Sequence, residues 1–380
     1  MLYENYLLNN FKEGFQVDSI YTDIIKVFDK MDIKLLIKKL EIYGFSGTLL
    51  SWFTSYLSDR KLKVTFLSYL SKEYYAKSGV PQGSHCGPFL FLLFLNDLCQ
   101  YISVPYLMFA DDLKIFFKIN SIKDCNLLQN NLNILQNWCI NNNMQFNFNK
   151  CFVIRFSKSN NLIKFDYSIN NNCLTSVTEI KDLGVVFDEK LTFIPHTNII
   201  INKSLSMLGF ITRNTNQFKN LNVLKILYFT LVRSKLEYLT VIWSSYYECR
   251  CKQLESVQNK FLRIINYKLG NTYDEINYSN LRSMIGITKL ENRRQMFDCL
   301  TLYKILNNQF NCSEILQNIS FRVPQYNTRN CDSFNIPYCR NNYLYNSPLN
   351  RIQRLGNTLN LDLFNTSISK LKKSFLRFIN

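Results

Sequence analysis

Histidine is scarce in this chain, and neither histidine belongs to a metal-binding pattern. Only His85 and His196 occur in 380 residues. The 12 cysteines are scattered, with one close pair at Cys249 and Cys251 and no paired Cys-x-x-Cys motifs. Structural zinc sites use four Cys and His ligands at characteristic spacings. The sequence therefore gives little support to a zinc site, and scattered cysteines are typical of reduced thiols in an intracellular protein.

Long hydrophobic runs are also missing. The strongest candidate, residues 88–95 (PFLFLLFL), ends at a polar Asn-Asp pair. A membrane-spanning helix needs ~20 apolar residues, so this segment is predicted to be a buried helix. The first residues lack the cationic stretch and apolar core of a secretory signal, which again indicates an intracellular protein.

Negative charge is scarce in the second half of the chain. Residues 1–190 contain 20 Lys and Arg against 18 Asp and Glu, a net charge of +2. Residues 191–380 contain 25 against 10, a net charge of +15. This asymmetry indicates that the second half faces a polyanion. Nucleic acid is the commoner partner of such a surface; an acidic membrane surface and a basic surface without a partner are the alternatives.

Hydrophobic periodicity changes near residue 190, from mixed α and β to helical. Strands are predicted at residues 19–25, 62–66, 74–78, 105–110, 113–117, 152–156, 163–167 and 183–187. Helices are predicted at residues 31–43, 46–57, 87–101 and 126–141, long helical segments at 197–267, and a basic amphipathic helix at 368–379. Residues 318–348 are predicted to be irregular. Ser46 is predicted to cap the helix that it begins.

Three aspartates lie in apolar surroundings, where a carboxylate is costly unless it is paired or binds a cation. Asp23 lies in the predicted strand 19–25, while Asp111 and Asp112 separate two predicted strands and so mark a hairpin turn. Aspartate oxygens suit Mg²⁺, and such ions stabilise the attacking and leaving oxygens of phosphoryl transfer. An Asp-Asp pair alone is usually an ordinary turn. A Pro-Gln-Gly loop between these aspartates and a basic helical region after them favour a phosphoryl-transfer site.

Five ordered segments carry a more specific signal. They are residues 21–29 (YTDIIKVFD), 79–84 (GVPQGS), 109–112 (FADD), 147–150 (NFNK) and 183–188 (LGVVFD). In this order they resemble the reverse transcriptases of non-LTR retrotransposons. Residues 227–243 are similar to the downstream region of jockey-like insect elements, and the resemblance extends over nearly the whole chain.

The resemblance implies an α+β fold: a polymerase palm, with an antiparallel sheet packed on helices, followed by an all-α thumb. The palm is expected at residues 1–190 with the fingers largely missing, the basic helical thumb at 191–270, and a helical and irregular C-terminal region at 271–380. Only 22 residues precede Asp23, whereas the family places a fingers region before this motif. The chain therefore resembles a reverse transcriptase truncated at its N-terminus.

The resemblance also implies catalytic roles. Asp23, Asp111 and Asp112 are expected to be catalytic residues that bind two Mg²⁺ ions, with Mn²⁺ as an alternative. Lys150 is expected near the triphosphate, where it donates a proton to the pyrophosphate leaving group. From residue type alone, a solvated lysine is an equally good interpretation of Lys150.

Substrate-binding residues follow from the same resemblance. The Ile24 backbone is expected to contact the metal or the triphosphate, and the Phe28 ring to exclude a ribose 2′-hydroxyl. Pro81, Gln82 and Gly83 are expected to line the site near the templating base and the incoming nucleotide, because glycine permits close backbone approach. An ordinary core aromatic is the alternative for Phe28.

The implied function is RNA-directed DNA polymerase, adding deoxynucleotides to a primer 3′-hydroxyl by two-metal catalysis. Its expected partners are an RNA template, a DNA primer and deoxynucleoside triphosphates, without a membrane, in the nucleus and cytoplasm. Two alternatives stay open: a catalytically silent remnant that binds nucleic acid, and a product without nucleic-acid affinity. The sequence indicates neither template preference nor oligomeric state.

Overall fold

The structure, a computed structural model, describes residues 1–271, 276–323, 332–359, 363–364 and 366–379. The chain divides into two compact units. One unit is Gly14–Thr178, and the other joins Met1–Glu13 to Glu179–Asn380. Within the described ranges, no helix is both long and apolar enough to cross a membrane.

Short strands alternate with helices up to residue 188, and the described elements after it are helical. The strands are β1 (Gln16–Thr22), β2 (Lys61–Leu62), β3 (Thr65–Phe66), β4 (Tyr69–Leu70), β5 (Tyr74–Tyr75), β6 (Tyr106–Phe109), β7 (Asp112–Ile119), β8 (Phe152–Phe156), β9 (Ser168–Ile169), β10 (Asn172–Cys173), β11 (Thr175–Val177), β12 (Glu179–Asp182) and β13 (Val185–Asp188). The helices are α1 (Leu2–Lys12), α2 (Val27–Lys30), α3 (Ile33–Ile42), α4 (Gly47–Leu57), α5 (Cys86–Leu95), α6 (Ile122–Asn141), α7 (Ile194–Asn214), α8 (Leu221–Leu227), α9 (Ser234–Glu237), α10 (Thr240–Trp243), α11 (Glu248–Lys268), α12 (Tyr278–Ile285), α13 (Leu290–Leu306), α14 (Ser313–Gln317), α15 (Asn342–Tyr345), α16 (Pro348–Leu359) and α17 (Ile368–Ile379). Two 3₁₀ helices (Asn96–Gln100 and Phe148–Lys150) and a π-helical segment (Tyr228–Arg233) complete the list.

A five-stranded sheet forms the centre of the Gly14–Thr178 unit, in the order β11-β8-β1-β7-β6. All its pairs are antiparallel except β11 with β8. β1 is buried along nearly its whole length, as expected for a central strand covered on both faces. The core around it includes the fully buried Ile20, Phe94 and Leu132. An antiparallel-rich sheet packed on helices confirms the predicted α+β class.

Helix starts in this unit follow from local capping chemistry. Ser121 and Asp124 form a capping box at the start of α6, which satisfies backbone N–H groups that the first turn leaves open. This explains why α6 begins earlier than the predicted residue 126. Asp32 caps α3 by accepting hydrogen bonds from two backbone N–H groups. Ser46 precedes α4 as predicted, but its side chain makes no capping hydrogen bond in the described chain, so that detail of the prediction was wrong.

Residues 163–167 are not the strand that their composition predicted. The backbone N–H of Ile163 donates to Gln16 Oε1 at 2.9 Å, and its carbonyl accepts from Gln16 Nε2 at 2.9 Å. An amide side chain thus takes the place of a neighbouring strand, and β9 begins only at Ser168. Tyr167 turns inward and donates its hydroxyl to the buried Asp18 at 2.9 Å.

The second unit is built around α7, the π-helical segment and α11. Tyr228 in the π-helical segment stacks on Phe261 with ring centroids 4.1 Å apart, and donates its hydroxyl to Gln258 at 3.1 Å. A stacked aromatic pair in the interior of this unit is therefore fixed by a buried hydrogen bond. This observation matches the helical character predicted from residue 197 onward.

α1 belongs to this second unit although it precedes β1. Its Tyr3 ring lies 5.9 Å from Phe187, and its Phe11 ring lies 6.4 Å from Tyr343. Residues 318–348, predicted to be irregular, include the short helix α15, and residues 324–331 of that stretch lie outside the described residues. The predicted helix at residues 368–379 is confirmed as α17.

Candidate active site

The β6–β7 hairpin carries two of the three predicted aspartates. Phe109 pairs with Asp112, which leaves Ala110 and Asp111 as a two-residue turn. Ala110 has a positive φ of 52°, the backbone conformation that two-residue hairpin turns require. Asp111 is half-buried, Asp112 is exposed, and the Phe109 ring is exposed beside them. The predicted hairpin is thus observed, but its turn lies one residue earlier than predicted, at Ala110 and Asp111, and Asp112 begins β7.

Asp23 lies at the same end of the sheet. The register of β1 and β7 ends with Thr22 opposite Leu113, so one further step along both strands brings Asp23 to the level of Asp112. Thr22 fixes this end by donating its hydroxyl to the Leu113 carbonyl at 3.0 Å. The register therefore places Asp23, Asp111 and Asp112 at the same end of the central strands β1 and β7.

Asp23 is not in the strand, contrary to the prediction for residues 19–25. β1 ends at Thr22, because the next residues pair with a different segment. The Asp23 carbonyl accepts from Asn147 N at 2.8 Å, and Ile25 N donates to the Gln145 carbonyl at 2.9 Å. Lys26 then turns the chain in a left-handed conformation. Asp23 is consequently held at the junction of two short backbone ladders.

Lys150 reaches the same carboxylate. Its Nζ lies 3.6 Å from Asp23 Oδ2, with the lysine side chain 65% exposed and the aspartate 19% exposed. An ion pair this open contributes ~0–1 kcal/mol to stability, so it leaves the lysine available to other anions. Burial raises the pKa of the neighbouring Cys151 to about 11, which keeps that cysteine a neutral thiol.

The donor set fits a hydrated Mg²⁺ better than a closed metal cage. Among the described residues, no group of three or more His, Cys, Asp or Glu side chains is placed to hold a metal. Mg²⁺ retains several waters and needs only one or two protein carboxylates together with substrate phosphates. Asp23, Asp111 and Asp112 supply such oxygens, so the residues present fit this ion.

The Pro-Gln-Gly loop packs directly on the segment that follows Asp23. Gly79 N donates to the Met31 carbonyl at 2.7 Å, and Val80 N donates to the Phe28 carbonyl at 2.9 Å. A Cβ at Gly79 would lie 2.5 Å from the Phe28 carbonyl oxygen, so only glycine allows this approach. Gln82 Nε2 donates to Asp29 Oδ1 at 2.8 Å. The structure thus joins two motifs that are far apart in the sequence.

Phe28 is half-buried in this arrangement. Its ring lies 4.6 Å from the ring of Phe91 on α5 and packs against the core. Pro81 is half-buried, and Gln82 and Gly83 are exposed. The roles predicted for these residues toward a nucleotide stay predictions.

Arg60 is a residue that the sequence did not single out. Its Nη2 donates to the carbonyls of Ser78 and Gly79 at 2.9 and 2.5 Å, and its Nε donates to the Leu57 carbonyl at 3.2 Å. Arg60 therefore fixes the chain just before the Pro-Gln-Gly loop. Nothing in its local sequence could have indicated this, because the partners are backbone carbonyls and carry no residue type.

The second unit presents a basic groove between α7 and α11. Its volume is about 1170 Å³, and its cationic lining comprises Arg213, Lys219, Lys260, Arg263 and Lys268. The Lys268 ammonium donates to the carbonyls of Thr215, Asn216 and Phe218, which ties the loop after α7 to α11. Five of the cations of the second half thus line one concave surface.

Residues 183–187, which follow β12 in the second unit, begin with a tight turn. Leu183 and Gly184 have positive φ values of 44° and 90°, so the predicted strand starts only at Val185. The Tyr238 hydroxyl donates to the Leu183 carbonyl at 3.0 Å. A Cβ at Gly184 would lie 3.0 Å from the Tyr238 ring, so the ring and the turn fit closely.

Sequence comparisons decide the family. The profile described as "Reverse transcriptase (RNA-dependent DNA polymerase)" matches residues 19–211, a range that contains all three aspartates and the Pro-Gln-Gly loop. The chain belongs to the reverse transcriptase family. Members of this family generally use divalent metal ions, and a two-metal mechanism is general among them. The predicted family is confirmed.

Individual relatives come from insect mobile elements. The RNA-directed DNA polymerase from mobile element jockey of Drosophila funebris is 26% identical over 276 residues, which are 69% of this chain and 30% of the relative. The probable RNA-directed DNA polymerase from transposon X-element of Drosophila melanogaster is 26% identical over 302 residues, 73% of this chain and 33% of the relative. This reverse transcriptase chain therefore spans about a third of the length of these relatives.

Among solved structures, the apo telomerase from Candida tropicalis matches with a TM-score of 0.39 and 10% identity. The match covers 75% of this reverse transcriptase chain and 48% of the telomerase chain.

Proposed function

We propose that this chain is an RNA-directed DNA polymerase that adds deoxynucleotides to a primer 3′-hydroxyl on an RNA template. The observation that carries the proposal is the register of β1 and β7, which brings Asp23 level with Asp112 beside the hairpin turn. Carboxylates at one end of the central strands supply the oxygen ligands that divalent ions need beside the phosphates of a nucleoside triphosphate. The family assignment of residues 19–211 supports the same reaction.

Two Mg²⁺ ions, or Mn²⁺ in their place, are the proposed cofactors. Asp23, Asp111 and Asp112 would hold them, and the Ile24 backbone follows directly beside Asp23. When bound, the ions stabilise the attacking and leaving oxygens of an in-line displacement. The half-buried setting of Asp23 and Asp111 strengthens their attraction for cations, because fewer waters screen the carboxylates.

Lys150 is proposed to receive the triphosphate. Its ammonium lies 3.6 Å from Asp23, so a phosphate oxygen that approaches the carboxylates also comes within reach of Lys150. The pyrophosphate leaving group carries more negative charge than the aspartate, and Lys150 can donate a proton to it.

The nucleotide is proposed to lie against Phe28 and the loop formed by Pro81, Gln82 and Gly83. The exposed amide of Gln82, held by Asp29, offers neutral hydrogen-bonding groups to a base. The Phe28 ring, fixed against Phe91, presents a rigid surface that a ribose 2′-hydroxyl would meet.

The second unit is proposed to bind the duplex of template and primer. Cations around the groove between α7 and α11 neutralise backbone phosphates, a contact that weakens as salt is raised. The proposed domain division is a palm at residues 1–190, a thumb at 191–270 and a C-terminal region at 271–380.

Primer extension tests the polymerase proposal. Purified chain is incubated with a DNA primer on an RNA template, deoxynucleotides, and Mg²⁺ or Mn²⁺, with and without a separately supplied fingers segment. Asp111→Asn is expected to lower incorporation at least ~100-fold, because it removes charge stabilisation of several kcal/mol. Glu41→Gln, a change at an exposed acid on α3, is the matched control. No incorporation by the parent chain under any condition would refute the proposal.

Nucleic-acid binding without turnover is a second candidate function. The basic groove of the second unit favours it, because that groove contains none of the three aspartates. This candidate predicts salt-dependent RNA or DNA binding that Asp111→Ala leaves unchanged, together with no incorporation in the extension assay. Binding accompanied by incorporation eliminates it.

A further inference from the structure

A two-stranded ribbon, residues 60–77, projects between α4 and the Pro-Gln-Gly loop. β2 pairs with β5 and β3 pairs with β4, both antiparallel, and Leu67 and Ser68 turn the chain with positive φ values of 45° and 69°. Every residue from 61 to 75 is exposed. A ribbon without a third strand is marginal in water unless it packs on something.

The tip of the ribbon is aromatic and apolar. Phe66 is 73% exposed and Tyr69 is 81% exposed. These two residues are cross-strand partners, so their rings leave the same face of the ribbon. Lower down, Tyr74 and Tyr75 are also exposed. Exposed aromatic side chains in one contiguous segment mark an interaction surface.

Positive charge is interleaved with these rings. Residues 59–77 contain five Lys and Arg against two acids. Lys61 Nζ lies 5.7 Å from the centre of the Tyr75 ring. Lys63 and Lys61 both approach Glu73, at 3.1 and 3.6 Å, so this acid is shared between two cations. The ribbon therefore has net positive charge as well as exposed rings.

A groove of about 820 Å³ joins the ribbon to the Pro-Gln-Gly loop. Lys61, Tyr74 and Tyr75 line its outer end, while Pro81 and Gln82 line its inner end. The hydrogen bonds from Arg60 to the carbonyls of Ser78 and Gly79 join the start of the ribbon to the residues just before the Pro-Gln-Gly loop. A chain-like ligand that occupies the loop thus has a continuous path to Tyr74 and Tyr75 at the base of the ribbon.

We infer that the ribbon binds a single-stranded nucleic acid, with unpaired bases stacked on Phe66, Tyr69 and Tyr74 and phosphates near the lysines. Aromatic rings alternating with cations are the surface that single strands require, because every base has a face that stacks and every nucleotide has a phosphate. Duplex bases are already stacked on each other and cannot use these rings. Binding does not depend on catalysis; the identification of the strand as the RNA template rests on the proposed polymerase function.

Binding of labelled oligonucleotides to the full chain, followed by fluorescence anisotropy in EDTA, tests the inference without any chemistry. The probes are a single-stranded RNA 20-mer, the same sequence as DNA, and the RNA duplex. The double variant Phe66→Ala, Tyr69→Ala is expected to weaken single-strand binding at least ~5-fold, the smallest effect of losing one stacked base. Binding of the duplex is expected to change less than twofold.

Three controls separate stacking from other effects. Tyr69→Phe keeps the ring and is expected to retain single-strand affinity within about twofold of the parent chain, because stacking uses the ring face. Tyr338→Ala removes a tyrosine that is 85% exposed outside the ribbon and is expected to leave affinity unchanged. Circular dichroism checks that the alanine variants fold, which is expected because residues 61–75 are exposed.

The outcomes distinguish the alternatives. Equal losses on RNA and DNA, or a loss on RNA alone, support the inference and say which strand the ribbon prefers. Parent-like affinity of the double variant, or a loss confined to the duplex, overturns it. A different result would be a parent chain that sediments as a dimer and a double variant that is monomeric but binds RNA with unchanged affinity. The ribbon would then bind a second copy of this chain and not a nucleic acid. If the parent chain shows no primer extension but its single-strand binding depends on the ribbon as expected, that result would count against the polymerase proposal alone.

Discussion

Gly79→Ala gives the sharpest test of how the Pro-Gln-Gly loop is held. A Cβ on Gly79 would lie 2.5 Å from the Phe28 carbonyl oxygen, 2.7 Å from the Asp29 carbonyl oxygen and 2.8 Å from Asp29 Cα. All three are backbone atoms, so none can rotate away as a side chain could. Relief would require breaking the hydrogen bonds to Met31 and Phe28 that Gly79 and Val80 donate.

The expected loss of stability has two parts. Gly79 has a φ of +80°, a conformation that costs an L-residue ~1–2 kcal/mol, and overpacking typically adds ~1–3 kcal/mol. We therefore expect Gly79→Ala to lower the free energy of unfolding by about 2–5 kcal/mol. Gly44 has a φ of +91° and nothing within 4 Å of the added Cβ, so Gly44→Ala should cost only the first part.

Urea denaturation measures both variants. Trp52 and Trp138 lie in Gly14–Thr178, whereas Trp243, the third tryptophan, lies in the other unit. Both variants are therefore made in a Trp243→Phe background, in which tryptophan fluorescence follows the unit that contains both glycines. The difference between the two losses isolates the contact of the loop with Phe28 and Asp29, since the effect of alanine on the unfolded chain is shared. Equal losses for Gly79→Ala and Gly44→Ala would refute the reasoning.

Three further predictions concern ion pairs and a buried acid. Lys150→Met is expected to change the free energy of unfolding by less than ~1 kcal/mol, because the ion pair of Lys150 with Asp23 is open to solvent. The same variant is expected to lower nucleotide incorporation. Urea denaturation measures the first effect and primer extension the second, and a large loss of stability would contradict the first. Burial raises the pKa of Glu4 from 4.5 to about 8, so the folded chain binds this proton more tightly than the unfolded chain and the free energy of unfolding should fall as pH rises between these two values. Glu4→Gln should therefore reduce the pH dependence of the unfolding free energy measured by denaturation from pH 5 to 8. An unchanged pH dependence would exclude Glu4 as its source. Asp298 is buried and accepts hydrogen bonds from Arg351 at 2.7 and 3.1 Å. Arg351→Ala removes this partner and should lower the free energy of unfolding by about 3–5 kcal/mol. Thermal unfolding of the variant checks this, and a loss of stability as small as that expected for an exposed ion pair would contradict it.

The sequence predicted the features of this fold that depend on local pattern. Two apolar segments separated only by Asp111 and Asp112 predicted the hairpin, because strand pairing across a two-residue turn is set by neighbouring residues. Periodicity predicted α6 and α17 for the same reason. The gathering of Asp23 with the other two aspartates came from the resemblance to a family, since residue patterns alone do not give a strand order.

The features that the sequence missed depend on partners far along the chain. Asp18 in β1 is buried and accepts hydrogen bonds from Gln16 and from Tyr167; burial raises the pKa of its carboxyl. Asp18 and Asp23 are both aspartates in or next to the same apolar strand, so residue type alone could not distinguish the buried structural acid from the acid at the end of the strand. Arg60 was missed because it binds carbonyls, which every residue has.

The placement of α1 has a consequence for the order in which the chain folds during translation. Tyr3 and Phe11 pack near Phe187 and Tyr343, which leave the ribosome long after α1 does. The apolar face of α1 therefore cannot meet these partners until the whole Gly14–Thr178 unit has been synthesised. Closing so long a loop is slow and exposes apolar surface to wrong partners. Chaperones that recognise nascent apolar helices are expected to bind this segment, and ribosome-stalled chains of increasing length would show when it is released.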